Sequence, residues 1–271
     1  MFVVGIGDNV IDRYQHTGMG YPGGNALNFS VYAAMLQAES AYLGIFASDN
    51  AADHLRKTVA AHGVDITHCL NVEGESGYAS LTVDEHGERR FLDSNAGGIR
   101  QTVSMGFIRE HTEWLSRFTL MHTAAYSYID EQLPWLATLP GRLSYDFSDD
   151  FDPAYAFTLC PWLDYAFFSC AGSSLGETTR LLAQAHGAGC PVVVATRGAE
   201  GAILFDGESW LSQSPSSVTP TDTLGAGDAF ITAFLLTHHR GKSLTQSLQA
   251  GADFAAVACG FNGAFGSPLV L

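Results

Sequence analysis

The chain reads as an α/β fold in which a mostly parallel sheet lies between two layers of helices. Three observations predict this. Short apolar runs rich in Val, Ile, Leu and Phe alternate with longer segments of helical period. The runs are near-continuous, as in strands covered on both faces. Glycine loops stand where chain should turn into helix. Strands are expected over 2–6, 40–46, 118–122, 142–147, 164–169, 191–195 and 202–205. Helices are expected over 25–37, 51–62, 131–139, 174–186, 225–239 and 244–259. In sheets of this kind ligands sit beyond the carboxyl ends of the strands.

Each element has its reason in the residues. Phe2–Ile6 is an apolar strand that meets Asp8 too early for a secretory leader, and no basic start precedes it. Residues 12–21 follow with no helical period. Residues 76–95 alternate polar and apolar side chains around the turn Asp84-Glu-His-Gly87. Tyr78, Ser80 and Thr82 would face one way, and Ala79, Leu81 and Val83 the other. Together, 12–21 and 76–95 suggest a small antiparallel flap over the ligand edge of one domain spanning 1–271. The alternative is a surface hairpin without function.

With 271 residues, 46% hydrophobic and 15% charged, the chain can bury a sizeable core and is not disordered. Its 13 basic and 28 acidic residues give a formal charge of −15, which argues against long nucleic acids or anionic membranes as partners. A local anion cradle is compatible with that charge. No apolar run is long enough for a membrane span. Five widely spaced cysteines suggest reduced thiols in a cytoplasm. The ten histidines show no paired ligand spacing, so a zinc site is not expected.

The most informative string is Asp222-Thr-Leu-Gly-Ala-Gly-Asp228, which runs into the apolar helix beginning Ala229-Phe-Ile. Gly225, Ala226 and Gly227 would leave backbone N–H groups bare at the positive end of that helix, a geometry that holds an anion. Asp228 in the first turn is then a carboxylate beside an anion cradle, the pairing that phosphoryl transfer to a hydroxyl requires. At the other end of the chain, Gly7-Asp8-Asn9-Val-Ile-Asp12 leaves the first strand, and Gly20-Tyr-Pro-Gly-Gly-Asn25 opens the helix that carries Asn28. Gly23 and Gly24 permit close backbone approach, and Asn25 could cap the helix. Short carboxylates and amides at Asp8, Asn9, Asp12, Asn25 and Asn28 suit sugar hydroxyls, which donate and accept. A dinucleotide fingerprint fails because its third glycine would fall at Val10, and no P-loop string occurs.

These strings resemble the signatures of the ribokinase family, the phosphofructokinase-B type carbohydrate kinases. The resemblance implies a ribokinase-like three-layer αβα sandwich with a small β lid, using ATP and Mg²⁺. It makes Asp228 the catalytic base and Gly225, Ala226 and Gly227 the anion hole. Asp8 and Asp12 match hydroxyl-binding aspartates, and Gly-Gly-Asn-x-x-Asn matches the sugar motif. Thr196-Arg-Gly198-Ala-Glu-Gly201 resembles the nucleotide segment, with Gly225 and Gly227 beside the phosphates. Asn262-Gly-Ala-Phe-Gly-Ser267 resembles the loop closing the adenine pocket. Asp222 and Ser267 match a monovalent-cation site that would take K⁺. Arg197 stands where many members have leucine, and is expected to face solvent rather than the nucleotide. Ser169-Cys-Ala-Gly172 departs from the family's Asn-x-x-Glu, so magnesium would be held by the nucleotide and waters.

Within the family, Gly7-Asp8-Asn9-x-x-Asp12, Gly63-Val-Asp-Ile-Thr-His68, Asp146-Phe-Ser-Asp149 and Leu163-Asp-x-Ala-Phe167 look like the bacterial fructoselysine 6-kinases. The implied substrate is a fructose–amino acid, phosphorylated at the sugar's 6-hydroxyl. Arg13 and Arg90 either lie in solvent or clamp the carboxylate of a fructose-aspartate or fructose-asparagine. Fructokinase or ribokinase activity is the alternative, followed by a sugar-binding protein without catalysis. By analogy with the family, a homodimer through the lid is expected.

Overall fold

The computed structural model describes the backbone of residues 1–83 and 89–271, and side chains outside 83–91. The expected turn at 84–87 and the Arg90 side chain lie outside the described residues. In chain order the strands are β1 (Phe2–Gly7), β2 (Val10–Tyr14), β3 (Met19–Gly23), β4 (Glu39–Phe46), β5 (Leu70–Asn71), β6 (Gly77–Val83), β7 (Arg89–Ser94), β8 (Leu120–Ala124), β9 (Arg142–Asp146), β10 (Tyr165–Ser169), β11 (Val192–Thr196), β12 (Ala202–Phe205), β13 (Trp210–Gln213) and β14 (Leu269–Val270). The α-helices are α1 (Asn25–Met35), α2 (Asn50–Ala61), α3 (Thr112–Leu115), α4 (Leu133–Leu136), α5 (Pro153–Leu159), α6 (Leu175–Gly187), α7 (Ala226–His239) and α8 (Leu244–Ala258).

The main sheet runs β13-β12-β11-β10-β9-β8-β1-β4-β5. Its pairs are parallel from β5 through β11, and β12 and β13 add an antiparallel edge. Side chains alternate across it with the period of two that a strand imposes. Val3, Leu120, Phe167, Val194 and Leu204 pack on one face with Phe29 of α1, Phe234 of α7 and Leu248 of α8. Val4, Met121, Phe168, Val193 and Ile203 pack on the other with Leu136 of α4, Leu159 of α5 and Leu182 of α6. α2 shares the first side, where Leu55 and Val59 meet Tyr42 and Phe46 of β4. Both faces are therefore dry, which is why the strands read as apolar runs rather than alternating ones.

A second sheet of five strands, β14-β3-β2-β6-β7, forms from the two segments that break the α/β rhythm together with β14. The expected flap is corrected in two respects. Its hairpins β2–β3 and β6–β7 are antiparallel, but the central pair β2–β6 is parallel, and β14 adds an unexpected edge. The parallel pair is possible because α1, β4 and α2 intervene between β2 and β6, long enough a connection for a crossover.

The helix expected over 131–139 shrinks to α4 behind a 3₁₀ turn at Asp130–Gln132. Pro134 sits in its first turn, where the missing N–H is tolerated, and Pro140 follows closely after its end. α1 ends at Met35, two residues short of expectation, with Gln37 at φ 62°.

α1 lies unusually close to β1. A Cβ on Gly5 would fall 2.1 Å from the Ala26 carbonyl oxygen and 2.4 Å from Ser30 Oγ. Both neighbours are buried and one is backbone, so neither can step aside cheaply. Gly5→Ala is expected to cost about 1–3 kcal/mol, the usual range for overpacking. Urea unfolding followed by circular dichroism checks this; an unchanged midpoint would contradict the contact.

Candidate active site

β1 ends just before Asp8, β9 ends at Asp146, β10 ends at Ser169, and α1 and α7 begin at the same edge of the sheet. A cavity of about 1700 Å³ opens there. The main sheet supplies Asp8, Asp146 and Ser169 to its wall, and the small sheet supplies Val10, Asp12, Tyr78 and Asp93.

Asp228, in the first turn of α7, is buried on this wall. Its Oδ2 accepts a hydrogen bond from Asn28 Nδ2 at 2.7 Å, and its Oδ1 one from Asn25 Nδ2 at 3.0 Å. The same Asn25 nitrogen donates to Asp146 Oδ2 at 3.1 Å, so one amide bridges two carboxylates. Burial holds the Asp228 carboxyl well above the ordinary carboxylate range, and the Asp146 charge adds to the shift; Asn28 and Asn25 oppose it. Burial likewise pushes Asp146 up to about 6, against the pull of the Ser148 N–H and Asn25. Both carboxyls bind a proton more tightly than a solvated carboxylate does.

α7 starts without a capping side chain. Its N-cap is Gly225 at φ 75°, a left-handed conformation that favours glycine, and a Cβ there would stand 2.7 Å from Tyr32 Oη and from Ala264 Cβ. Gly225 and Gly227 both line the cavity, and nothing lies within 4 Å of where a Gly227 Cβ would project. The N-terminus of α7 thus presents uncovered backbone to the cavity beside Asp228, an arrangement suited to an anion.

At the other helix the expected cap is corrected. Gly24, not Asn25, is the N-cap of α1 and makes no side-chain cap. The cap comes from Asp8: its Oδ2 accepts from the Asn25 N–H at 2.7 Å and its Oδ1 from the Ala26 N–H at 3.1 Å. Ser127 Oγ donates to the same Oδ1 at 2.8 Å. Asn9 is turned toward β4, where Nδ2 donates to Tyr42 Oη at 2.8 Å and to the Ile45 carbonyl at 2.9 Å. Gly23 backs Asp12: a Cβ there would strike Asp12 Oδ2 at 2.0 Å. Asp8, Asn9, Asp12, Gly24, Asn25, Asn28, Gly225, Gly227 and Asp228 all line the one cavity.

Other expected residues stand back from it. Ala226, Gly23, Thr196, Gly198, Gly201, Asn262 and Ser267 do not line the cavity, nor does Arg13. Arg13 stacks on the Tyr78 ring at 3.7 Å and reaches Glu75 at 4.0 Å, which places it one side chain behind the wall. Asp222 ties loops together: Tyr14 Oη donates to Oδ2 at 2.5 Å, as does the Gly263 N–H at 2.9 Å, and the Leu224 N–H donates to Oδ1 at 3.0 Å. The Ser267 carbonyl faces His54 Nε2 at 2.8 Å. Arg197 does not face solvent as expected. Its side chain is only 11% exposed; it donates to the Ser173 carbonyl at 3.0 Å and pairs with Glu200, joining the turn after β10 to the turn after β11. Among the described residues no group of three or more His, Cys, Asp or Glu is placed to hold a metal, and no helix is long and apolar enough to cross a membrane. All five cysteines are free.

Sequence reasoning assigned no site role to Asp146, Arg100, Tyr126 or Asp149, all on the wall. Asp146 was findable, since it closes a parallel strand as Asp8 follows one. Arg100 lies in a glycine-rich turn with no motif, where its Nη2 donates to the Ser127 carbonyl at 2.8 Å.

The raised proton affinity of Asp228 gives a stability prediction. Its folded-state pKa lies above the unfolded one, so wild-type stability is fullest below the unfolded value and falls as pH rises through the folded value. Asp228→Asn removes the charge and escapes that loss. Asn28 Oδ1, buried without a partner, can accept the new amide N–H after a flip. The variant is expected to melt above wild type at pH 8, with the gain vanishing as pH approaches 4. Thermal melts across that range check the sign; a gain that grows toward low pH would contradict it.

Comparison with known proteins agrees with this architecture. Residues 2–133 and 166–268 match the pfkB family carbohydrate kinase pattern. Fructosamine kinase FrlD of Bacillus subtilis (strain 168) is 40% identical over 266 residues, 98% of this chain and 93% of that protein. Fructoselysine 6-kinase of Escherichia coli (strain K12) is 32% identical over 261 residues, 96% of this chain and 98% of that one. Among solved structures, ribokinase of Arabidopsis thaliana complexed with ribose and ATP superposes with a TM-score of 0.77 at 17% identity, covering 95% of this chain and 92% of that one. The fold is ribokinase-like. The chain belongs to the pfkB family of carbohydrate kinases, and is a phosphotransferase acting on an alcohol group.

Proposed function

We propose that the protein transfers the γ-phosphoryl group of ATP to the 6-hydroxyl of a fructose–amino acid: fructoselysine, fructose-asparagine or fructose-aspartate. The observation that carries this reading is the buried Asp228 carboxylate on the cavity wall, beside the uncovered Gly225 and Gly227 at the start of α7. The similarity to a fructosamine kinase across 98% of the chain supports the acceptor class.

The proposed step draws on the geometry of the cavity. Asp12, Asn25 and Asn28 line the same cavity as Asp228, and would hold the acceptor's hydroxyls. Asp228 takes the proton of the 6-hydroxyl as that oxygen attacks phosphorus in line with the leaving ADP. The amides of Gly225, Ala226 and Gly227 donate to the oxygens of the phosphoryl group in flight, where preorganised donors count most. Tyr78 and Asp93 of the small sheet stand over the acceptor and exclude water, which would otherwise accept the phosphoryl group.

The described residues do not fit a resident magnesium site. The turn Ser169–Gly172 offers no carboxylate, and no cluster elsewhere among the described residues does better. Magnesium enters as part of the nucleotide substrate, and no step is assigned to a protein-bound ion. K⁺ at Asp222 and Ser267 fits poorly too, since three protein donors already occupy the Asp222 carboxylate.

Asp228→Asn is expected to lower turnover by roughly 10²–10⁴ while calorimetric binding of sugar and nucleotide persists. Normal turnover would refute the base. Mass spectrometry of products from fructoselysine, fructose-asparagine, fructose-aspartate, fructose and ribose should show the phosphate on a fructose–amino acid in preference to either free sugar. A preference for free ribose or fructose would move the assignment to a ribokinase or fructokinase. Arg13→Ala should weaken charged and neutral acceptors to the same degree, because Arg13 supports Tyr78 rather than touching the acceptor; selective loss of an acidic adduct would restore the clamp.

A further inference from the structure

Asp146 is buried on the cavity wall, and the phosphoryl-transfer step gives it no part. It ends β9, and its Oδ1 is occupied by the Ser148 N–H at 2.9 Å. Its Oδ2 takes one of the two hydrogens on Asn25 Nδ2; the other hydrogen goes to Asp228 Oδ1. A primary amide nitrogen has two hydrogens in one plane. Asn25 can satisfy both acids only if the three groups keep a fixed mutual orientation. Asn25 is in turn anchored by its own N–H to Asp8.

We infer that Asp146 is a positioning residue for the proton acceptor: acting through Asn25 Nδ2, it fixes the Asp228 carboxylate in place, and its negative charge keeps Asp228 basic enough to take the acceptor's proton. This rests on the reading of Asp228 as the base. Two carboxylates tied to one amide cannot both ionise as readily as either alone, so they titrate as a pair. The direction of the Asp228 shift, with Asp146 as its largest charge contribution, agrees.

The other titratable groups facing this pair are few. Asp8 acts on both acids from the end of β1, and Asp149 acts on Asp146 from the loop after β9. Tyr32 of α1 senses Asp228, together with Asp222 before α7 and Cys259 at the end of α8. Arg100 acts on Asp8. Asp146 is the member of this set joined to Asp228 through a shared donor.

The test is Asp146→Asn, which removes the charge; its one side-chain oxygen can still accept from Asn25, at the cost of the Ser148 N–H contact. The acidic limb of the kcat–pH profile is expected to move down by about one unit, the scale of a neighbouring charge. The side-chain carbon of ¹³C-labelled Asp228, titrated by NMR without substrates, should move down with it. An unmoved limb and an unmoved titration, with the change confined to KM, would make Asp146 an acceptor contact and overturn the inference. If Asp146→Asn does not fold, Asn25→Ala replaces it. Cutting the bridge removes a donor from Asp228 and should raise its titration, and no change there overturns the inference equally. Because the NMR titration needs no turnover, a protein inactive toward every sugar would sink the proposed function while the coupling was still decided.

Discussion

The site depends on one short join: the Asp8 carboxylate against the first two amides of α1. A parallel strand delivers Asp8 to the edge of the sheet, and a glycine N-cap leaves the helix end open to receive it. A carboxylate there meets the positive end of the helix dipole and satisfies amides that would otherwise be orphaned. The join fixes where α1 begins. Because Asn25 and Asn28 lie one helical turn apart, it also fixes where both amides point. They point at Asp228. Asp8 thereby sets the frame for the residues around it.

The electrostatics of the cavity run against the simple expectation for an enzyme whose co-substrate is a polyanion. The chain is strongly acidic, and Asp8, Asp12, Asp146, Asp149 and Asp228 all border the cavity. Net charge does not favour phosphate; Arg100 and Arg180 on the wall do, and so does oriented backbone. The start of α7 provides it, with a left-handed glycine and no side chain in the way. Amide side chains and Ser127 hold Asp8, Asp146 and Asp228 in place by hydrogen bonds. The same crowding makes a buried acid retain a proton at a pH where a solvated one would have lost it.

Much of this was legible in the sequence, for physical reasons that differ by element. The strands buried on both faces announced themselves as apolar runs, and α7 and α8 by their long helical period. Asp228 was legible because glycine, alanine, glycine and aspartate at a helix start have few structural uses in common. The parallel pairing of β2 with β6 and the edge strand β14 were not, because short strands at the margin of a small sheet carry little periodicity and owe their pairing to distant partners. The roles of Asp8 and Arg197 were hidden for another reason. Each depends on which donor or acceptor lies across a tertiary contact, Asp8 with Asn25 and Ala26, Arg197 with Ser173. Neither spacing nor residue type reveals that. The shortened α4 shows the reverse case, where Pro134 and Pro140 were visible and outweigh the apolar pattern around them.

The small sheet gathers its strands from three remote stretches of chain, with Val270 laid against Met19 and Val10 against Gly77. Its final edge therefore has to wait until synthesis has passed residue 270, long after the first strands have left the ribosome. The parallel core can assemble progressively as each strand-and-helix unit emerges. The small sheet can gain its last edge only at the end, and Tyr14 can be locked to Asp222 only once residue 222 has emerged. A nascent chain would thus own most of its core before β14 joins, and maturation would finish at the margin of the small sheet rather than in the core.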